Sequence, residues 1–144
     1  FASLDSTIRK TRIKNFNLVF VDTVGFIRDL PTNLIDAFKS TLDEIVNSDL
    51  ILHIRDSSDD EYLFQKKHVL KILFELGIRD DDPRIMEVNN KIDLLEDNNK
   101  NFKSNGIRIS AISGEGISYL KSSISEKLEI LYKGSFLLQQ SYKT

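Results

Sequence analysis

The sequence predicts an α/β fold: a mostly parallel sheet with helices on both faces. Three observations carry that prediction. Four short apolar runs alternate with segments of helical periodicity. The runs are mostly continuous in apolarity, as strands covered on both faces are. The length, 144 residues, suits one core and one domain.

The candidate strands are residues 18–21, 50–54, 85–88 and 107–109, preceded by a more polar strand over residues 9–14. Leu34, Ile35, Phe38, Leu42, Ile45 and Val46 recur at helical spacing, and Leu63, Leu70, Leu73 and Phe74 mark a second helix that Gly77 ends. Ser58 with Glu61 offers that helix a capping box. A last helix is written in Ile117, Leu120, Ile124, Leu128 and Leu131, with Gly134 expected as its C-terminal stop. Residues 134–144 form a tail to which no role is assigned.

Twenty basic side chains face 22 acidic ones for a net charge of −2, so no global nucleic-acid footprint exists. The absence of cysteine excludes disulfides and thiolate metal sites. No apolar run reaches the roughly 18 residues of a membrane span, and the expectation is a soluble, cytoplasmic protein. The chain opens on Phe1 and not on Met, without the features of a signal peptide. Its true beginning is expected to be missing or to lie elsewhere.

In an open α/β sheet, ligands bind outside the carboxyl ends of the strands. After the first apolar strand stands Asp22-Thr23-Val24-Gly25: an acid able to hold Mg²⁺ through water, then a glycine whose N–H can approach a terminal phosphate. Alone, this D-x-x-G also describes an ordinary strand end and turn. After the third strand comes Asn90-Lys91-Ile92-Asp93. A carboxylate at Asp93 can accept from both the N1–H and the 2-amino group of guanine, which adenine does not offer, so Asp93 is the expected base selector. Asn90 can brace the surrounding loops, and the aliphatic stem of Lys91 can cover a flat ring while its ammonium stays wet. Taken alone, N-K-x-D is equally a polar turn before a helix. After the last strand, Ser110-Ala111-Ile112 opens a turn in which a backbone N–H beside Ala111 could meet the guanine 6-oxo group. The order of the three segments, each at a strand end, is the argument for a site.

That order resembles the GTPase superfamily, and the finer detail is similar to its Obg and HflX branch. Asp22-Thr23-Val24-Gly25-Phe26-Ile27-Arg28-Asp29-Leu30-Pro31 looks like the HflX-type stretch D-T-V-G-F-I followed by a polar pair and L-P. Leu34 to Glu44 is similar to that family's switch helix, and Phe1-Ala2-Ser3-Leu4-Asp5 matches its F-A-T-L-D switch segment with Ser3 in place of Thr. The resemblance spans about residues 1–131.

It implies a three-layer P-loop GTPase (G domain) fold, a site for GTP or GDP with Mg²⁺, and GTP hydrolysis. Ser3 would ligate Mg²⁺ through its hydroxyl and Asp22 through water. Gly25, the candidate catalytic position, would sense the γ-phosphate. Phe1, Ala2, Leu4, Asp5, Thr23, Val24, Lys91, Ile92 and Ile112 would belong to the nucleotide site, while Asn90, Asp93 and the Ser110-Ala111 turn would read guanine. Phe26 stands where Ras-like proteins place a water-orienting Gln, so the attacking water would need another positioner. In this family the large ribosomal subunit and its RNA are the implied partner, and the complete protein is expected to be monomeric.

One departure is chemical. None of the six glycines begins a G-x-x-x-x-G-K-[ST] phosphate loop. The chain therefore reads as a partial G domain over residues 1–133 that lacks the first strand, phosphate loop and first helix. The resemblance places the missing strand mid-sheet, between the strands ending at Asp22 and Asp56, so its loss should split the sheet. The rival to a GTP hydrolase is a noncatalytic truncated or split-gene remnant that binds little nucleotide by itself.

Other features have ordinary explanations. Arg9, Lys10, Arg12 and Lys14 could touch RNA phosphates or guard an edge strand against unwanted pairing. Asp56, Asp59, Asp60 and Glu61 resemble a metal cluster but precede a helix, whose positive end favours acids. His53 and His68 are expected to be structural, and Asp80-Asp81-Asp82-Pro83 a solvated turn.

Overall fold

The computed structural model describes residues 7–14, 16–22, 39–95 and 105–141. Its first unit is an antiparallel hairpin of β1 (Thr7–Ile13) and β2 (Phe16–Asp22), in register from Thr7 opposite Asp22 to Ile13 opposite Phe16. Lys14 enters the turn at φ 50, and its carbonyl accepts a hydrogen bond from Arg12 Nε at 3.1 Å. Arg9, Lys10 and Arg12 of β1 and Lys14 of the turn are all exposed, and the one partner of β1 among the described residues is β2.

The second unit is a parallel sheet in the order β3 (Ile51–Asp56), β4 (Ile85–Asn90), β5 (Ile107–Arg108). Helices α1 (Lys39–Val46), α2 (Tyr62–Glu75) and α3 (Ile117–Ser141) complete the α/β pattern, with a 3-10 turn at Ile92–Leu94. Neighbouring residues of a strand point to opposite faces, and β4 shows what covers each. Val88, fully buried, packs in one cluster with Ile109 and with Leu120, Ile124 and Leu128 of α3. Glu87, next to it, is bonded on the other face by Lys66 of α2 at 2.9 Å and by Arg55 of β3 at 2.9 Å. The expected helices on both faces are therefore present.

β3 is less apolar than a doubly covered strand usually is, since His53 and Arg55 are buried in it. The Glu87 carboxylate offsets the cost of burying the Arg55 charge. Burial first, and then the nearby Arg55 charge, lowers the His53 pKa to about 4. Neither His53 Nδ1 nor His68 Nε2, both buried atoms, has a hydrogen-bond partner among the described residues.

No backbone pairing joins β2 to β3 among the described residues. A cleft of about 1130 Å³ lies between them, walled by Phe16, Leu18 and Phe20 of the hairpin and by Leu52 and Ile54 of β3. The separation matches a sheet interrupted between these two strands. Across it the hairpin is tied to the rest through α3: Ile13 joins the core cluster and Phe16 stacks on Tyr132 at 6.1 Å.

Three local expectations are corrected. The capping box does not form. Glu61 itself is the N-cap of α2 and makes no side-chain cap bond, because the helix starts at Tyr62 and leaves Ser58 three residues before the cap, where its Oγ donates to the Asp56 carboxylate at 2.6 Å. Asp59 instead braces this helix start, accepting from Glu61 N–H and from Gln65 Nε2, both at 2.9 Å. Gly134 is not a stop, and α3 runs through it to Ser141. Glycine costs only about 1 kcal/mol in a helix interior, and it ends one by adopting positive φ, as Gly77 does at φ +86 after α2. Finally, Asp82 is not merely solvated. It binds Arg84 at 3.0 Å, and Arg84 Nη1 donates to the Val46 and Ser48 carbonyls at 2.9 and 3.1 Å, satisfying the end of α1.

Candidate functional site

The parallel register carries the ends of β3 and β4 to the same level, with Asp56 opposite Asn90. Both strands run past their apolar stretches and finish on polar residues, Asp56 and Asn90. β5 stops after two residues, and its continuation, Ile109-Ser110, remains buried beside β4. Ile109 N–H donates to the Asn89 carbonyl at 2.8 Å, and Ile92 N–H returns to the Ile109 carbonyl at 3.2 Å. These bonds bring the Asn90-Lys91-Ile92-Asp93 loop against the Ser110-Ala111-Ile112 turn.

Within that contact the side chains are specific. Ser110, fully buried, donates its hydroxyl to Asp93 Oδ1 at 2.8 Å, and its Oγ accepts from Ser113 N–H at 3.2 Å. Asn90 Oδ1 accepts from Ala111 N–H at 3.0 Å, so Asn90 braces the two loops as expected. That bond engages the Ala111 N–H. Ile112, 88% exposed, is the next residue whose backbone N–H points to no partner among the described residues. Gly116, at φ +77, lets the turn close, since a Cβ there would overlap the Arg108 carbonyl oxygen.

Lys91 sits at φ 64, ψ 33, the left-handed region, between the end of β4 and the 3-10 turn. Its ammonium lies 2.9 Å from Asp56 Oδ2. Partial burial of Asp56 opposes its ionisation, but the hydrogen bonds from Ser58 and Lys91 outweigh it and hold the carboxyl below its ordinary pKa. Ser57, buried, donates both its N–H, at 3.0 Å, and its hydroxyl to the Asn90 carbonyl. The loop after β3 is thus part of the site's frame, which the sequence reading missed by assigning Asp56 to a helix start. The signal available was position: Asp56 ends a strand that neighbours the one ending at Asn90.

The phosphate side is less fully described. Asp22 is the last residue of β2, in the hairpin and not in the parallel sheet. Phe1, Ala2, Ser3, Leu4 and Asp5, together with Thr23, Val24, Gly25 and Phe26, lie outside the described residues. Of the expected magnesium pair, Ser3 and Asp22, only the Asp22 backbone is described. Among the described residues no group of three metal-ligating side chains exists, and Asp56, Asp59, Asp60 and Glu61 bond to neighbouring protein groups or face solvent. No helix among them is long and apolar enough to cross a membrane.

The structure is similar to that of a GTP-binding protein from the archaeon Sulfolobus solfataricus solved in complex with GDP. The TM-score is 0.68 at 27% identity, over 87% of this chain and 45% of the other. The parallel sheet with helices on both faces is accordingly the P-loop GTPase G-domain fold. No protein-family model matches the chain. Among curated relatives, GTPase HflX of Flavobacterium psychrophilum is 52% identical over 93 residues, 65% of this chain and 22% of the relative. GTPase HflX of Caldanaerobacter subterraneus subsp. tengcongensis is 42% identical over 133 residues, 89% of this chain and 29% of the relative. The chain thus spans less than a third of the length of these curated relatives and under half of the archaeal structure. Over the segment that it spans, the chain is a homologue of the proteins named GTPase HflX.

Proposed function

We propose that this chain reads the guanine base for a GTP hydrolase of the HflX type, with Asp93 as the selector. The observation that carries the reading is the bond from buried Ser110 to Asp93, which fixes an exposed carboxylate at the strand ends beside the Asn90–Ala111 brace. A rigid carboxylate can accept from both guanine donors, and one left unpaired against the wrong base is penalised. The names of the relatives and the GDP held by the archaeal neighbour support the same ligand class.

The wider reading is that GTP binds with Mg²⁺ held by Ser3 and Asp22, that Gly25 senses the γ-phosphate, and that hydrolysis couples to the large ribosomal subunit in the rescue or splitting of stressed ribosomes. Such a protein would be cytoplasmic and monomeric when complete, with the G-domain portion at residues 1–133. The support is the Asp22 to Glu44 block and the relatives' family. The phosphoryl transfer needs a backbone cradle and a lysine for the β- and γ-phosphates, and no G-x-x-x-x-G-K-[ST] segment occurs in these 144 residues. That observation favours the second reading for the chain by itself, a base-reading but noncatalytic remnant.

The test is nucleotide competition followed by NMR on the chain. GDP should displace ADP, and Asp93→Asn should shift preference toward the xanthine nucleotide, whose 2-oxo group needs a donor in place of an acceptor. An Asp93→Asn variant that still prefers GDP over XDP would remove Asp93 from the role.

A further inference from the structure

Asp56 shares its carboxylate between two loops. Oδ1 accepts from Ser58 N–H at 2.9 Å and from the Ser58 hydroxyl at 2.6 Å, while Oδ2 takes Lys91 Nζ at 2.9 Å. The first pair fixes the carboxylate's direction, and the second passes that direction to Lys91. The Lys91 backbone is itself held at φ 64, a region that residues other than glycine rarely adopt. Both ends of its four-carbon stem are therefore fixed, although the side chain is 48% exposed.

An ion pair this open adds little to folding stability, because water screens it and two side chains lose freedom to form it. What it does fix is orientation. A lysine stem carries much rotamer entropy, and ordering it only when a ligand arrives would weaken binding. We propose that Asp56 is a positioning residue of the guanine site, holding the Lys91 stem ordered before the nucleotide arrives. The inference rests on the guanine-reading role of the Asn90-Lys91-Ile92-Asp93 loop and extends that site to the end of β3.

The experiment is an NMR titration of the 144-residue chain with GDP at low salt, comparing Asp56→Asn, Lys91→Met and the double variant. Asparagine keeps an oxygen for Ser58 but presents Lys91 with an amide that cannot pair with an ammonium. Asp56→Asn should weaken GDP binding about twofold to fivefold, the range of an exposed charge pair. The deficit should disappear in the Lys91→Met background and shrink near 1 M salt, where the Debye length is about 3 Å. The thermal melt should not move.

An equal loss with and without Lys91, no loss at all, or an Asp56→Asn chain that fails to fold would each overturn the positioning role. A wild-type chain that does not distinguish GDP from ADP would overturn the guanine reading and this inference together. A chain that responds to Asp93→Asn but not to Asp56→Asn would overturn this inference alone.

Discussion

Ser110 donates its hydroxyl to Asp93 across 17 residues of chain, with 2.8 Å between Oγ and Oδ1. One partner is fully buried and the other is exposed, so a core residue sets the direction of a surface carboxylate. An ionised carboxylate has about four lone-pair sites, and the serine occupies one, leaving capacity for two donors from a base.

Ser110→Ala should separate orientation from recognition. It removes the donor to Asp93 and the acceptor for Ser113 N–H, and we expect about 1–2 kcal/mol less stability in urea unfolding. GDP binding should weaken without the shift toward XDP expected of Asp93→Asn. A Ser110→Ala chain with wild-type GDP affinity would show that Asp93 is held by something else.

The chain alone should bind GTP weakly and hydrolyse it negligibly. Base contacts cannot replace the backbone N–H groups and lysine that hold the β- and γ-phosphates. Calorimetry returning submicromolar, magnesium-dependent binding would contradict this and reveal a phosphate site elsewhere in the 144 residues.

Stability should fall on acidification between about pH 6.5 and pH 4. The folded-state pKa of His53, about 4, lies below the ordinary value of 6.5, lowered first by burial and then by the Arg55 charge. In that window the unfolded chain binds the proton that the folded chain refuses, so stability rises with pH, is fully present above pH 6.5 and is lost as pH drops toward 4. The loss from pH 7 to pH 5 should be on the order of 1–2 kcal/mol. Urea midpoints for wild type and His53→Leu measure it, and an identical pH slope in the two would clear His53 of the effect.

The interrupted sheet should be the weakest part of the isolated chain. Among the described residues β2 and β3 line the same cleft without pairing, and unsatisfied buried backbone groups cost about 1–3 kcal/mol each. Several rival the roughly 5–15 kcal/mol stability of a whole domain. Hydrogen exchange should find β2 and β3 exchanging faster than β4, which is paired on both sides. Exchange in β2 and β3 as slow as in β4 would show that the gap is tolerated.

The sequence alone determined what local composition and spacing can encode. Apolar runs at residues 18–21, 50–54 and 85–88 located the strands, and the spacing of Ile117, Leu120, Ile124 and Leu128 located α3, because burying a strand or a helix stripe forces those patterns. The residues that follow those runs, Asn90, Asp93 and Ser110, were legible as a candidate site for the same reason: in a parallel sheet the strand ends share one edge. Tertiary structure decided which donor meets which acceptor. Asp56 read as a helix-start acid until the in-register ends of β3 and β4 set it against Lys91, 35 residues away. Ser58 was equally suited to cap α2, but the helix begins four residues later and its hydroxyl turns to the carboxylate two residues back. Gly134 had the composition of a stop but not the positive φ that makes one. Each of these turns on competition between partners brought together by folding, and such a competition has no signature in the order of residues.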